Sequence, residues 1–149
     1  VLAGTPGLEL AAFSEPAKTV GGDLYDFFLV SPRRLFFVIG DVSGKGLPSA
    51  LLMALAKAQI KSAALRADGD PGVALSAAND AIAQDNPEYL FVTAVAGCLD
   101  LDSGMLRYAN AGHDPPLCVG DAQIESLPIA QGPPLCTVDG FTYPTDSIA

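Results

Sequence analysis

The chain has 149 residues, half of them apolar, which is long enough for one domain with one core and too apolar for a disordered tail. Seventeen acidic against eight basic side chains leave a net charge of −9, and no basic run could follow a phosphate backbone, so nucleic-acid binding is excluded as an expectation. No signal peptide opens the chain, Lys57, Gln59 and Lys61 interrupt the most apolar stretch, and Cys98, Cys118 and Cys136 lack metal-ligand spacing; a soluble cytoplasmic protein in a reducing compartment, with no membrane segment and no disulfide framework, is expected.

In chain order, Leu8 to Phe13 reads as a strand and Ser14 to Val20, with Pro16, as a connection. Gly21 to Phe28 and Leu35 to Gly46 read as the arms of an antiparallel hairpin, because Ser31-Pro32-Arg33-Arg34 has turn chemistry and the flanking runs are aromatic and β-branched. Pro48 suits the first turn of a helix to about Leu65, with Ala50, Leu51, Ala54, Leu55, Ala58 and Ile60 at helical spacing. Asp70 and Pro71 read as cap and first position of a second helix to about Gln84, with Val73, Leu75, Ala78 and Ile82 as its stripe. Tyr89 to Leu101 reads as a strand that Asp102-Ser103-Gly104 turns back into Met105 to Ala111. Asn110 to Pro116 is a proline-locked loop before Leu117-Cys118-Val119, and Gly120-Asp121 turns again into Gln123 to Leu127. Beyond Pro128 the prolines and glycines leave only a short strand at Phe141 to Tyr143. Hairpins interrupted by two consecutive helices predict an α+β fold with helices covering antiparallel sheet. Repeats and low-complexity segments are absent from the sequence. It opens at Val1 without an initiator methionine and stops in a segment that closes into nothing, so residues 1–149 are expected to be one domain of a longer parent.

The first hairpin carries the chemistry. If Val30 lies opposite Leu35, Asp23 falls across from Val42; a slip of one residue puts Asp23 across from Asp41, on one face with Tyr25, Phe27, Ile39 and Phe37. Two carboxylates about 5 Å apart at an effective dielectric near 20 repel by roughly 3 kcal/mol, so the pair needs a proton, a base or a cation. Lys45 is the one basic residue nearby in sequence. Glycines at 40, 44 and 46 let backbone approach a ligand, so the Val42 carbonyl can join Asp23 and Asp41 in an all-oxygen shell that suits Mg²⁺ or Mn²⁺ rather than zinc. The plain alternative is two strand-end aspartates in water. The helix beginning near Pro48 places its positive end just beyond Asp41, where it would favour the ionised carboxylate. A nucleotide-binding P-loop at Gly40 to Gly46 fails on spacing, since only three residues separate Gly40 from Gly44 and glycine follows Lys45.

Gly-Gly-Asp-Leu-Tyr-Asp-Phe-Phe, Gly-Asp-Val-Ser-Gly-Lys-Gly-Leu-Pro-Ser-Ala, Phe-Val-Thr-Ala and Asn-Ala-Gly-His-Asp-Pro-Pro-Leu, in that order, resemble the SpoIIE-type (RsbU-like) bacterial protein Ser/Thr phosphatases of the metal-dependent PPM superfamily. The resemblance runs from about Leu8 to Tyr143. It implies an αββα sandwich lacking its carboxyl-terminal part, with the metal centre between two sheets. It also implies two Mn²⁺ or Mg²⁺ ions, the residue at Asp41 bridging them, that at Asp23 binding one, and the carbonyl of Val42 as a further ligand. Val42 stands where many relatives have glycine, which matters little when only a carbonyl is used. The implied activity is hydrolysis of phosphoserine or phosphothreonine on a regulatory protein of the anti-anti-sigma type by metal-activated water, under control of an upstream sensor or receiver domain, with homodimerisation open. Relatives complete the site with two further aspartates expected beyond Ala149, and neither Asp139 nor Asp146 is assigned to them. Low activity is therefore expected for these residues alone, and the competing reading is a non-catalytic scaffold that binds a regulatory partner. Asp26 falls on the face opposite Asp23, Lys45 reads either as a surface lysine or as a partner for a carboxylate or substrate phosphate, and His113 as a loop residue whose hydrogen bonds fix the Asn110 to Pro116 turn in preference to a general acid or base. The roles of Asn110 and Asp114 are left open with it.

Overall fold

In the structure, a computed structural model that describes residues 8–15, 21–84, 86, 88–120, 123–128 and 130–149, the first hairpin pairs β1 (Leu24–Ser31) with β2 (Arg34–Val42) across a turn at Pro32 and Arg33. Ser31 lies opposite Arg34, but Leu29 lies opposite Leu35, so Val30 is an extra residue, a β-bulge. The bulge shifts everything beyond it by one position, giving Tyr25 opposite Ile39 and Leu24 opposite Gly40. Of the two registers open from sequence, this is the one that carries Asp23 toward Asp41.

After β2 come α1 (Leu47–Arg66) and α2 (Pro71–Ala83), then β3 (Val92–Asp100) and β4 (Leu106–Ala111) as a second hairpin. Strands β1, β2, β3 and β4 are neighbours in one six-stranded sheet. Two short strands divide the far side of β4: β7 (Gln131–Gly132) runs parallel to Asn110 and Ala111, and β8 (Asp146–Ile148) antiparallel to Leu106 through Tyr108. A separate ribbon pairs β5 (Leu117–Val119) with β6 (Ile124–Ser126).

Both helices lie on the sheet face formed by Leu24, Phe36, Val38, Val42, Ala94, Ala96, Cys98, Ala109 and Ala111, which together with them form the buried core. Small side chains across β3 and β4 let the helix backbones come close, and the apolar area removed from water holds the layers together. The buried line of α1 is Leu52, Ala56, Ile60, Ala63 and Ala64, one position round from the expected stripe, and Leu51 is exposed. Helix α1 must face α2 as well as the sheet, which turns its smallest residues inward. Val73 of α2 is exposed for the same reason, while Asp70 caps α2 as expected, its carboxylate accepting from the Val73 N–H at 3.0 Å.

Several expectations are corrected. Residues 8–15 carry no strand, and the part of the Ser14 to Val20 connection at 16–20 falls outside the described residues. Strand β3 begins only at Val92, because Tyr89 sits at φ 52° and breaks the extended run. Phe141 to Tyr143 is not a strand; β7 and β8 form the sheet edge instead. Hydrogen bonds from buried side chains hold this carboxyl-terminal segment: Asn79 of α2 accepts from the Cys136 N–H at 2.8 Å and donates to the Val138 carbonyl at 3.0 Å, and Tyr108 donates to the Pro128 carbonyl at 2.7 Å. Among the described residues no helix is long and apolar enough to cross a membrane.

The bulge is seated against the α1–α2 connection. A Cβ on Gly69 would stand 2.9 Å from both Val30 Cγ2 and Cys98 Sγ, whereas one on Gly104, at the same φ of 75°, would meet nothing within 4 Å. Gly104→Ala should therefore cost about 1–2 kcal/mol, the left-handed backbone contribution alone. Gly69→Ala should cost about 2–4 kcal/mol, with overpacking added. Equal losses in urea unfolding would mean that this contact does not seat Val30.

Candidate functional site

Asp23 precedes β1 by one residue and Asp41 is the penultimate residue of β2, and the register places both on the sheet face away from the helices. The pairing persists one step past the strand, where the Val42 N–H donates to the Gly22 carbonyl at 3.2 Å. Asp26 lies on the other face, as alternation predicts, and pairs with Lys61 of α1 at 3.4 Å. Lys45 is exposed, and among the described residues no lysine or arginine forms an ion pair with Asp23 or Asp41.

Burial first, then the negative charge of Asp23 and a hydrogen bond with it, push the Asp41 carboxyl above its ordinary range. The Val42 N–H and the charge of His113 pull the other way and are outweighed. Gly46 gives α1 no side-chain cap, and the start of that helix is not among the groups that shift Asp41.

Oxygen atoms converge beside this pair. A Cβ placed on Gly22 would lie 2.7 Å from the Val42 carbonyl oxygen, 2.7 Å from Ser49 Oγ and 3.0 Å from Asp41 Oδ1, so the missing side chain of Gly22 leaves an oxygen-lined cradle open. Ser49, buried in the first turn of α1, donates to the Val42 carbonyl at 3.4 Å. Two carboxylates and a carbonyl are hard donors of the kind Mg²⁺ and Mn²⁺ take. Among the described residues no third histidine, cysteine or carboxylate completes a metal cluster with them.

The pair opens into a cleft of about 360 Å³ whose lining includes Tyr25, Ile39, Glu15 and His113. Glu15 had no signal in the sequence, lying in a stretch read as a plain connection. His113 is placed differently from its expected role. Its backbone is what fixes the turn, clamped by the buried Asn110, whose amide donates to the His113 carbonyl and accepts from the His113 N–H, both at 2.7 Å. The imidazole is thereby free to face the cleft, with Nδ1 2.9 Å from Thr93 Oγ1. Asp114 is exposed.

A carboxyl whose folded pKa is raised costs stability above that pKa, and the cost disappears as pH falls through it and the folded state takes up the proton first. In the absence of metal, Asp41→Asn should therefore raise the thermal midpoint at neutral pH, with a gain that shrinks to nothing at acid pH. A gain that grew with acidification would contradict the sign of the shift.

Comparison with known proteins gives this geometry its context. The chain matches the family described as Stage II sporulation protein E (SpoIIE) over residues 31–149. It is 30% identical to protein IcfG of Synechocystis across 94% of this chain and 26% of that protein. It is 34% identical to the phosphoserine phosphatase RsbU of Bacillus subtilis across 72% of this chain and 32% of RsbU. The chain thus spans roughly a quarter to a third of these relatives. Its fold superposes on the RsbU and RsbW domains of a Mycobacterium tuberculosis protein with a TM-score of 0.75 and 31% identity, over 89% of this chain and 36% of that one. It also superposes on the PP2C phosphatase domain of SpoIIE from Bacillus subtilis, with a TM-score of 0.74 and 17% identity, over 88% of this chain and 38% of that one, which bears out the αββα fold class. From the ordered motifs, the fold and the match over residues 31–149, the chain belongs to the SpoIIE family of PPM-type phosphatase domains.

Proposed function

We propose that this domain hydrolyses phosphoserine or phosphothreonine monoesters on a regulatory protein, using Mn²⁺ or Mg²⁺ held by Asp23, Asp41 and the Val42 carbonyl. The observation that carries this is the convergence of Asp41 Oδ1, the Val42 carbonyl and Ser49 Oγ at the cradle beside Gly22, with Asp23 lining the same cleft as Asp41 and no basic side chain of the described residues paired to either carboxylate. When bound, divalent ions supply positive charge for the phosphoryl oxygens and lower the pKa of a coordinated water. By the family resemblance, Asp41 would be the ligand shared by two such ions, with Asp23 and the Val42 carbonyl as further ligands. Ser49 steadies the Val42 carbonyl from the first turn of α1, and Asn110 fixes the loop that forms the far wall of the cleft. The relatives RsbU and RsbP are named phosphoserine phosphatases, which supports a phosphoserine protein as substrate, of the anti-anti-sigma type that the resemblance implies. Control by an upstream sensor or receiver domain in the cytoplasm completes the proposal.

One observation favours a second reading, a scaffold that binds a regulatory partner without catalysis: among the described residues only two acidic ligands meet at the site. Hydrolysis of an aryl phosphate and of a phosphoserine peptide by the full-length protein separates the two. Activity should require Mn²⁺ or Mg²⁺ and vanish with chelator. Asp41→Ala should lower Mn²⁺ affinity by on the order of 100-fold or more, the upper end of the loss seen for partners outside the coordination shell. Gly22→Ala, which fills the cradle while leaving every carboxylate in place, should weaken Mn²⁺ binding too. Activity that survives chelation, or that Asp41→Ala retains, points to the scaffold.

A further inference from the structure

The sequence contains one histidine, and it lines the proposed phosphatase cleft. Thr93 Oγ1 lies 2.9 Å from His113 Nδ1 and 3.3 Å from the Asp41 carbonyl oxygen. A hydroxyl has a single hydrogen and a carbonyl can only accept, so a Thr93 hydroxyl that donates to Asp41 meets the imidazole with a lone pair. Nδ1 then carries the ring hydrogen, and in the neutral ring Nε2 is bare. The clamp of Asn110 on both backbone groups of His113 fixes the main chain from which the ring projects, and Thr93 holds the ring itself. Among the described residues Nε2 has no protein hydrogen-bond partner, and His113 does not form a three-ligand metal cluster with Asp23 and Asp41. His113 lines the same cleft as Asp23 and Asp41 without joining them as a ligand cluster, so a bare Nε2 there is within one water of the pair's surroundings.

We propose, resting on the phosphatase reading, that His113 is a further catalytic residue whose Nε2 accepts a hydrogen bond from the water that attacks phosphorus, and that Thr93 is the positioning residue that sets the ring's tautomer. The water oxygen bonds to phosphorus as the bond from phosphorus to the seryl oxygen breaks. One water hydrogen stays on the product phosphate, and the other passes through Nε2 to solvent, which supplies the hydrogen taken up by the seryl oxygen.

The single histidine makes a direct test possible, by long-range proton–nitrogen NMR on ¹⁵N-labelled residues 1–149 without metal, at a pH where the imidazole is neutral. Wild type and Thr93→Ser should show hydrogen on Nδ1 and a bare Nε2, and Thr93→Val should move hydrogen toward Nε2. A wild-type ring protonated at Nε2 overturns the proposal without any activity measurement. In the full-length protein with Mn²⁺ and an aryl phosphate, His113→Gln should lower kcat about 100-fold, the low end of an acid–base contribution. KM and Mn²⁺ affinity should hold, and Thr93→Ser should retain the rate that Thr93→Val loses. Wild-type kcat in His113→Gln defeats this assignment and leaves the phosphatase reading standing, whereas a wild-type protein without metal-dependent hydrolysis defeats both.

Discussion

One extra residue in a strand decides which carboxylates meet. The turn at Pro32 and Arg33 sets Ser31 against Arg34, and a regular ladder continued from there would put Asp23 opposite Val42, on the other sheet face from Asp41. The bulge at Val30 removes that mismatch, and from Leu29 onward the two arms run in the register that lets Asp23 and Asp41 share a face. Its seat is tertiary: Val30 is packed against the connection after α1, at the one glycine whose close approach Cys98 also needs. The helix layer therefore reaches the site twice, through the strand it holds out of step and directly through Ser49 in the first turn of α1.

Bringing the pair together has an electrostatic cost that the described protein groups do not offset. Desolvation and the charge of Asp23 raise the Asp41 carboxyl above its ordinary range. Beside the pair, Gly22 withholds a side chain where the Val42 carbonyl, Ser49 Oγ and Asp41 Oδ1 converge, the cradle that the proposed function fills with a cation. On the proposed function, a divalent ion held here would offset that repulsion and stabilise the folded form, which would link metal affinity to folding.

Much of this was legible because it is local. The Pro32 turn, the Asp70 cap, the proline at the start of each helix and the period of the paired strands are all written within a few residues of where they act. The register was not, since the bulge depends on Gly69, some forty residues away. The inward line of α1 was misjudged by one position because a helix serving two neighbours cannot be read as a single stripe. The carboxyl-terminal segment stayed opaque because Asn79, Tyr108 and Ser76 tie it down one side chain at a time, and such bonds leave no periodic trace. The ring of His113 was hidden likewise, its partner Thr93 being a small residue on a different strand. Asp23, Asp41 and Val42 were visible as a motif, and the structure adds the geometry beside Gly22.

Paramagnetic broadening by substoichiometric Mn²⁺ in the amide spectrum of ¹⁵N-labelled protein tests the central claim most directly. The account predicts that signals of Gly22, Asp23 and Gly40 to Ser43 vanish first while those of β5 and β6 persist, and that Asp41→Asn abolishes the pattern. Broadening that spreads over the acidic surface without preference, or that survives Asp41→Asn unchanged, would contradict it.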